Sequence, residues 1–377
     1  MAAIAVLSLA TWLYLILARG GFWQMREVPP PPTQSESLAS VVAVIPARNE
    51  AAGVGRAIAS LAAQDYRGPY HIVLVDDAST DGTAEVARKA APADRLTIVQ
   101  AAPLPPGWTG KLWALAEGVR YAQRLNPEFL LLTDADIVHP PGNLRHLTSR
   151  ATAGFDVVSY MATLRAESPA ERALIPPFVF FFFLLYPPRW IADPRRGTAG
   201  AAGGCLLIRT AALDRIGGIA AIRGELIDDC SLARAVKRSG GRVWLGLSRA
   251  TESIREYRTF GEIGRTISRT AFTQLRYSPW LLAGTVLGLV LTYLVPPIAT
   301  LTAVQPAQAF GAAAWLAMTA AYFPAIRFYR QSWFWAPLLP LAAAFYLAAT
   351  VHSALAHWRG IGGQWKGRVS SRNLPRQ

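Results

Sequence analysis

The chain has 377 residues, 52% of them hydrophobic, a formal net charge of +14 and a positive mean hydropathy. Such a composition is too apolar for an ordinary soluble domain, so the basic residues are expected to face anionic lipid and phosphate; no nucleic-acid recognition motif appears. The two cysteines, Cys205 and Cys230, form no CxxC or Cys/His cluster, which argues against a zinc site or a disulfide framework and fits a reducing compartment.

The N-terminal segment predicts a membrane anchor. Residues 2–18 are apolar and uncharged, and the first basic residues, Arg19 and Arg26, follow them. A secretory signal would carry its charge before the apolar run and a small-x-small cleavage site after it. We therefore expect a transmembrane anchor at residues 1–22 with Arg19 on the inner side, followed by a linker at 23–37.

The next part of the chain alternates apolar strand-like runs with helical periodicity. Strands are predicted at 41–45, 71–75, 96–100 and before Asp134, and helices at 51–64, 83–90 and 108–123. This alternation predicts an α/β domain with a Rossmann-like parallel sheet and polar loops at one edge.

The most informative strand runs into two carboxylates. Phe129–Leu132 is apolar on both faces and is followed by Asp134 and Asp136. At the carboxyl edge of a sheet, where such sheets bind ligands, two like charges favour a cation such as Mg²⁺ or Mn²⁺ between them. The alternative is a strand followed by an ordinary polar turn.

Two further strand ends carry polar residues. Asp76 and Asp77 can accept hydrogen bonds from a base or a ribose, and Lys111 opens a helix where an ammonium and free N–H groups favour phosphate. Helix capping and a solvated lysine are the ordinary alternatives. Dinucleotide and P-loop fingerprints are both incomplete, because Gly53-Val-Gly55 lacks a third glycine and Gly110-Lys111 lacks the spaced glycine and Ser/Thr.

Taken together, four motifs resemble those of family 2 glycosyltransferases of the GT-A fold: Val41–Glu50, Val73–Thr83, Gly110-Lys111 and Thr133–Asp136. The resemblance covers residues 38–277. It implies that Asp77 contacts the uracil of the donor and that the Asp-x-Asp motif, mainly Asp136, holds the divalent cation, with Asp134 as second ligand or ribose contact. The donor site it implies also includes Pro46, Ala47, Asn49, Glu50 and Lys111.

The same resemblance supplies an acceptor site and a base. Gly203, Gly204 and Cys205 correspond to the loop under the acceptor, where small residues let a substrate approach the backbone. Asp228-Asp229 corresponds to the acidic pair of inverting members, whose usual Glu-Asp is here Asp-Asp. Asp229 would then deprotonate an acceptor hydroxyl, although both acids could simply cap a helix.

An arginine-rich stretch departs from the family pattern. Related membrane enzymes carry Gln/Arg-x-x-Arg-Trp, whereas here Arg269 is followed by Thr and only Arg276-Tyr277 keeps the Arg–aromatic pair. Arg269 and Arg276 are both candidates for the donor diphosphate, and the choice between them stays open.

Apolar segments dominate the rest. Phe178–Leu185 looks too short to span, so an interfacial or re-entrant segment is expected, with a buried core element as the alternative. Spans are predicted near 280–303, 307–324 and 334–356, with prolines kinking or breaking the first and last and one of them re-entrant. The predicted domains are thus 38–277 for catalysis, 278–357 for the membrane and 358–377 for a basic cytoplasmic tail.

The sequence therefore predicts a multi-pass inner-membrane enzyme with a cytoplasmic catalytic domain. Its expected reaction is inverting transfer of a hexose from a nucleoside diphosphate, a UDP-sugar by resemblance, to a lipid hydroxyl. The overall layout is similar to the hopanoid-biosynthesis-associated branch of the family and, more distantly, to ceramide glucosyltransferases, so a hopanoid is one candidate acceptor. A polyisoprenyl-phosphate acceptor and a non-catalytic sugar-nucleotide-binding scaffold are the alternatives.

Overall fold

The computed structural model describes residues 1–28 and 38–360, together with the backbone of two short antiparallel strands, Gln364–Trp365 and Arg368–Val369. Most of the predicted linker and of the basic tail therefore lies outside the described residues. The chain forms two compact units. The helical unit contains Met1–Arg26, Ala166–Arg189 and residues 256–360, and the sheet unit contains Glu27–Arg165 and Trp190–Arg255.

The sheet unit is built on one eight-stranded sheet, which has the spatial order β3-β2-β1-β4-β7-β6-β8-β5. Its strands, in chain order, are β1 Val41–Ala47, β2 Tyr70–Asp76, β3 Leu96–Gln100, β4 Phe129–Leu132, β5 Ile137–Val138, β6 Val157–Thr163, β7 Leu206–Arg209 and β8 Val243–Ser253. The first four are parallel neighbours, whereas β7 runs antiparallel to β4 and β6. The predicted parallel α/β core is confirmed, and the later strands make the sheet mixed.

The sheet core is apolar on both faces. Every residue of β1 and of β4 is buried, as continuous Val/Ile/Leu runs require in a sheet covered on two sides. Helices cover the sheet: α2 Ala51–Ala62, α3 Thr83–Ala90, α4 Gly110–Gln123, α5 Asn143–Thr152, α8 Thr210–Arg215 and α9 Asp228–Arg238. Gly118 lets α4 pack closely, because a Cβ there would lie 2.4 Å from Val44 and 2.6 Å from Val75.

The helical unit contains the apolar segments from three distant parts of the sequence. Its α-helices are α1 Ala2–Ala18, α6 Pro169–Leu185, α10 Phe260–Gln274, α11 Pro279–Leu289, α12 Val295–Thr302, α13 Ala307–Phe328 and α14 Leu339–Trp358. A short helix, α7 Pro188–Ala192, follows α6 across the boundary between the units. Among the described residues, four helical segments have the length and composition to cross a membrane: Pro169–Ala192, Pro279–Thr302, Ala307–Phe328 and Trp333–Trp358.

The phenylalanine run, Phe178–Leu185, was predicted to be too short to cross a membrane. It lies inside α6, which starts earlier than expected because Ser168 and Glu171 form a capping box and Pro169 occupies the first turn. With α7 the helical segment reaches 24 residues, so the view that the run is too short to span was wrong. Within the helical unit Phe180 packs against Tyr322 with ring centroids 5.2 Å apart, which fits the alternative of a buried core element.

Prolines do not break the first and last predicted C-terminal spans. A π-helical turn, Val290–Leu294, joins α11 to α12 just before Pro296-Pro297, and a 3₁₀ segment, Trp333–Leu338, leads into α14. The π turn exposes backbone carbonyls that α1 satisfies: Ser8 Oγ donates to Leu291 O and Trp12 Nε1 donates to Thr292 O, both at 2.7 Å.

The N-terminal anchor and the boundaries of the catalytic domain were also predicted from the sequence. The predicted N-terminal anchor forms α1, a 17-residue apolar helix that is shorter than the four candidate spans. Contacts group residues 166–189 and 256–277 with the helical unit and not with the sheet, so the structure divides the chain differently from the predicted 38–277 domain. The predicted boundaries of the catalytic domain, at residues 38 and 277, therefore stay a prediction.

Candidate active site

The loops that follow β1 and β2 are joined by hydrogen bonds. The Asn49 N–H donates to Ser79 Oγ at 3.0 Å, and the Thr80 N–H donates to Asn49 Oδ1 at 2.9 Å. The Glu50 N–H donates to Thr83 Oγ1 at 2.9 Å. Asn49 adopts a positive φ of 52°, which Asn tolerates better than most residues. The predicted donor residues of the first loop are therefore held against the second loop.

Asp77 is buried at the end of β2. Its backbone N–H donates to Ala47 O at 2.9 Å, and its Oδ2 lies 3.6 Å from Arg48 Nη1, which also donates to the Asp77 carbonyl. Sequence reasoning missed Arg48, because one arginine after a strand forms no recognisable pattern. The predicted contact of Asp77 with a uracil stays a prediction.

Lys111 lies between acidic residues from two distant parts of the chain. Thr109 caps α4 through a bond from the Leu112 N–H, and Lys111 Nζ then lies 2.9 Å from Asp134 Oδ1 and 3.0 Å from Asp228 Oδ2. Burial alone would lower the pKa of the ammonium, but the two carboxylates outweigh it and hold the pKa above its ordinary value. Lys111 is therefore a fixed positive charge.

Asp136 lies on the turn after β4, and its side chain is 18% exposed. Burial, and then the neighbouring Asp134 carboxylate, raise the pKa of Asp136 to about 6; Glu50 acts in the same direction and Arg255 opposes it. The Arg255 guanidinium lies 3.9 Å from Asp136 Oδ2. The turn thus holds more negative charge than Arg255 offsets.

This charge excess fits a divalent cation. Within residues 1–28 and 38–360, no group of three or more His, Cys, Asp or Glu side chains is arranged to hold a metal ion. Asp136 and Asp134 would supply carboxylate oxygens to Mg²⁺ or Mn²⁺, ions that also bind substrate phosphates and water. Because Asp134 is engaged by Lys111, Asp136 would be the better placed ligand.

Asp229 lies in the first turn of α9, beside Asp228. Its Oδ2 accepts from the Gly203 N–H at 2.8 Å, and its Oδ1 accepts from the Cys230 N–H at 2.7 Å. Burial, and then the Asp228 carboxylate, raise the pKa of Asp229 to about 6, while Lys111 and the two N–H donors oppose the shift. A carboxylate with this pKa can accept a proton near neutral pH.

A small cleft of about 20 Å³ joins these groups, and Pro46, Lys111, Asp134, Gly203, Asp228 and Asp229 are among the residues that line it. A Cβ on Gly203 would lie 3.4 Å from Asp229 Oδ2 and 3.5 Å from Lys111 Nζ. These are ordinary contact distances, and they show how closely the Gly203 backbone approaches the Asp229 carboxylate and the Lys111 ammonium.

Gly204 is half-buried like Gly203, and a Cβ on it would lie 2.9 Å from the side chain of Ile137. Cys205 is fully buried in the sheet core, where its Sγ accepts from Asn143 Nδ2 at 3.5 Å and burial raises the pKa of the thiol to about 11. β7 begins directly after it, and the predicted place of Gly203, Gly204 and Cys205 under an acceptor stays a prediction.

Arg269 and Arg276 belong to the helical unit. Arg269 lies in α10, and Arg276 follows that helix with a positive φ of 53°. Their predicted role at the diphosphate stays a prediction.

The sheet unit and the helix after it are similar to known proteins. The family model described as glycosyltransferase like family 2 matches residues 39–273, which is more than half of the chain. The undecaprenyl-phosphate 4-deoxy-4-formamido-L-arabinose transferases of Yersinia enterocolitica and Edwardsiella ictaluri are each 32% identical, over 138 and 141 residues. These matches cover 36% of this chain and 41% of each relative, so the chain spans about two fifths of their length.

One solved structure covers nearly the whole chain. It is a mannosyltransferase from Pyrobaculum calidifontis in complex with GDP-Man and Mn²⁺, with 22% identity, a TM-score of 0.54, and coverage of 93% of this chain and 98% of that one. At this identity the likeness concerns the fold, which is the GT-A fold with its appended helices. With the family model matching over most of the sheet and the helix after it, the chain belongs to the family 2 glycosyltransferases.

Proposed function

We propose that this enzyme transfers a sugar, with inversion, from a nucleoside diphosphate donor to a lipid hydroxyl. The observation that carries the proposal is the position of Lys111, whose ammonium lies within 3.0 Å of both Asp134 and Asp228. The first acid belongs to the motif that would hold the donor, and the second adjoins Asp229. The Lys111 ammonium would thus link the donor side and the acceptor side of a displacement reaction.

The donor end would use the loops after β1, β2 and β4. Asp136, assisted by Asp134, would hold the divalent cation, which would offset the charge that develops on the leaving diphosphate. The Lys111 ammonium, at the start of α4, would stabilise the same charge. A UDP-linked donor follows from the resemblance of the Asp77 motif.

The acceptor end would use Asp229. A hydroxyl must lose a proton as it attacks the anomeric carbon, and Asp229 would take it. The two N–H donors from Gly203 and Cys230 fix the carboxylate, so that its orientation is set before the acceptor arrives.

A lipid acceptor is supported by the helical unit. In the part of the chain that the structure describes, four segments have the length and composition to cross a membrane. Within the helical unit an apolar cavity of about 320 Å³ is lined by residues such as Pro177, Tyr322, Trp335 and Phe345. Apolar cavities of this size are typical of sites for small apolar ligands. We propose that the protein lies in the inner membrane with its sheet unit on the cytoplasmic side.

A polyisoprenyl-phosphate acceptor is the second candidate, because the curated relatives are named undecaprenyl-phosphate transferases. A phosphate oxygen is already ionised at neutral pH and needs no base. The hopanoid remains one hydroxyl lipid among several, since diacylglycerol and ceramide present the same chemistry.

The direct test uses purified full-length protein, a panel of UDP- and GDP-sugars, Mn²⁺ or Mg²⁺ and a bacterial lipid extract. We expect metal-dependent consumption of one donor and a new glycolipid. Donor binding without turnover in any lipid fraction would favour the non-catalytic scaffold. Lipid profiles of cells with and without the gene would then identify the acceptor, and a loss confined to a water-soluble polysaccharide would contradict a lipid acceptor.

Activity should also depend on pH through Asp229. Its pKa of about 6 lies above the ordinary value, so at saturating metal kcat/KM should fall about tenfold for each pH unit below 6, as the base becomes protonated. Asp228→Asn removes the carboxylate that raises this pKa and should move the midpoint to lower pH. A pH profile that is flat between 5 and 8 would contradict the role of Asp229 as base.

A further inference from the structure

A chain of buried polar side chains runs beneath the acidic turn of the site. Thr133, His139 and Asn143 are each about 2% exposed. Thr133 Oγ1 lies 2.7 Å from the Gly204 carbonyl oxygen and 2.9 Å from His139 Nε2, and His139 Nδ1 lies 2.9 Å from Asn143 Nδ2. Four groups are therefore connected in series, and of the three side chains only Thr133 falls within one of the sequence motifs, where no role was predicted for it.

The direction of each hydrogen bond follows from the chemistry of its ends. The Gly204 carbonyl can only accept, so the Thr133 hydroxyl donates its single proton there. Thr133 must then accept from His139, which requires the proton on Nε2. His139 Nδ1 is left as an acceptor for the Asn143 amide N–H, and the assignment is consistent along the whole chain.

A charged imidazole would disrupt this order, because it would present two N–H donors where the chain needs one donor and one acceptor. Burial lowers the pKa of His139 to about 3, which keeps the ring neutral. The chain therefore has one proton arrangement across the pH range of the enzyme, as a fixed structural link requires.

The link joins two parts of the site that carry different chemistry. Thr133 directly precedes Asp134, the first acid of the metal-binding turn. Gly204 directly follows Gly203, whose N–H holds the Asp229 carboxylate at 2.8 Å. Asn143 extends the link to a third segment, since its Oδ1 accepts from Thr251 Oγ1 at 3.4 Å, near the end of β8.

We propose that Thr133 and His139 are positioning residues, which fix the distance between the donor-side carboxylates and the segment that holds the base. This inference rests on the proposed function for the roles of Asp134 and Asp229. The two groups must act on opposite sides of one anomeric carbon, and a displacement of about 1 Å in such an arrangement can lower turnover about 100-fold.

The test compares isosteric variants. Thr133→Val keeps the shape but removes the hydroxyl, and Thr133→Ser keeps the hydroxyl. Thr148→Val is the matched control, because Thr148 is also fully buried and its hydroxyl bonds only within α5, to Leu144 O and Arg145 O. We expect Thr133→Val to lower kcat about 10- to 100-fold with the donor KM changed less than about threefold, while Thr133→Ser and Thr148→Val stay near wild type in both.

A structural role alone would give another pattern. If Thr133→Val and Thr148→Val lose thermal stability and kcat in parallel, or if Thr133→Ser is as slow as Thr133→Val, the proposal is overturned. His139→Gln, which retains one donor and one acceptor, should be faster than His139→Leu, and equal rates would also count against it.

Hydrogen–deuterium exchange separates this inference from the proposed function. In Thr133→Val, amides of residues 200–205 should exchange faster than in wild type, whereas Thr148→Val should leave them unchanged. This readout needs no acceptor. If wild type shows no transfer to any lipid, the proposed function fails and exchange alone decides: faster exchange confined to Thr133→Val supports the link, and unchanged exchange overturns it.

Discussion

Replacing Asp229 by Asn should lower transfer to a lipid hydroxyl by about 10²- to 10⁴-fold, the range that a general base contributes. The amide is isosteric and keeps an acceptor oxygen for the Gly203 or Cys230 N–H, so the fold and donor binding should survive. The measurement is kcat at saturating donor and metal, together with the thermal midpoint and the dissociation constant of UDP with Mn²⁺.

Asp228→Asn is the control for this variant, because Asp228 lies beside Asp229 but its carboxylate is paired with Lys111 at 3.0 Å. A smaller loss is expected there. If Asp229→Asn retains more than about a tenth of wild-type turnover, a hydroxyl acceptor activated by this residue is contradicted. The polyisoprenyl-phosphate acceptor is then favoured, since its oxygen needs no base.

We expect the second large effect from Asp136→Asn, which should stabilise the fold and weaken metal-dependent donor binding. In the fold the pKa of Asp136 is raised to about 6, so the folded protein binds this proton more tightly than the unfolded chain does. The folded state is therefore penalised as pH rises from about 4 through 6, and the full penalty is present above 6. Removing the charge should raise the free energy of unfolding at pH 7.5 by roughly 1–3 kcal/mol.

The same substitution should weaken metal-dependent donor binding at least about tenfold, because a protein ligand of the cation is lost. Wild type should gain thermal stability when Mn²⁺ and UDP are added together, whereas Asp136→Asn should gain little. Asp65→Asn is a control on an exposed acid of the same unit, whose side chain is 62% exposed. An undiminished response to Mn²⁺ and UDP in Asp136→Asn would remove Asp136 from the metal site.

The local sequence pattern was sufficient to predict the position of those site residues that lie at strand ends. Asp77, Asp134 and Asp136 lie where the sequence predicted, because apolar runs fix the strands and the first polar residues after them must lie at the sheet edge. The pairing of Lys111 with Asp228 could not be predicted, since it depends on how α9 packs after β7 reverses direction in the sheet. Arg48 and His139 could not be predicted either, because a single arginine after a strand and a single buried histidine form no recognisable sequence pattern.

One error has a specific cause. The phenylalanine run was judged on its own length, whereas it lies inside α6, which also contains Pro176 and Pro177 and begins after the capping box at Ser168. The predicted segment was too short because the residues between this cap and the run were not counted as part of the helix.

The contact of α1 with the π-helical turn has a consequence for biosynthesis. Ser8 and Trp12 bond to carbonyls 283 and 280 residues further along the chain. At ordinary translation rates of 5–20 residues per second, these partners emerge about 14 to 56 s after the N-terminal helix. During that interval the Trp12 indole and the Ser8 hydroxyl have to find other partners, among them water, lipid headgroups or the insertion machinery. α1 is thus made well before the carbonyls that it contacts, and it can dock only after about 280 further residues have been synthesised.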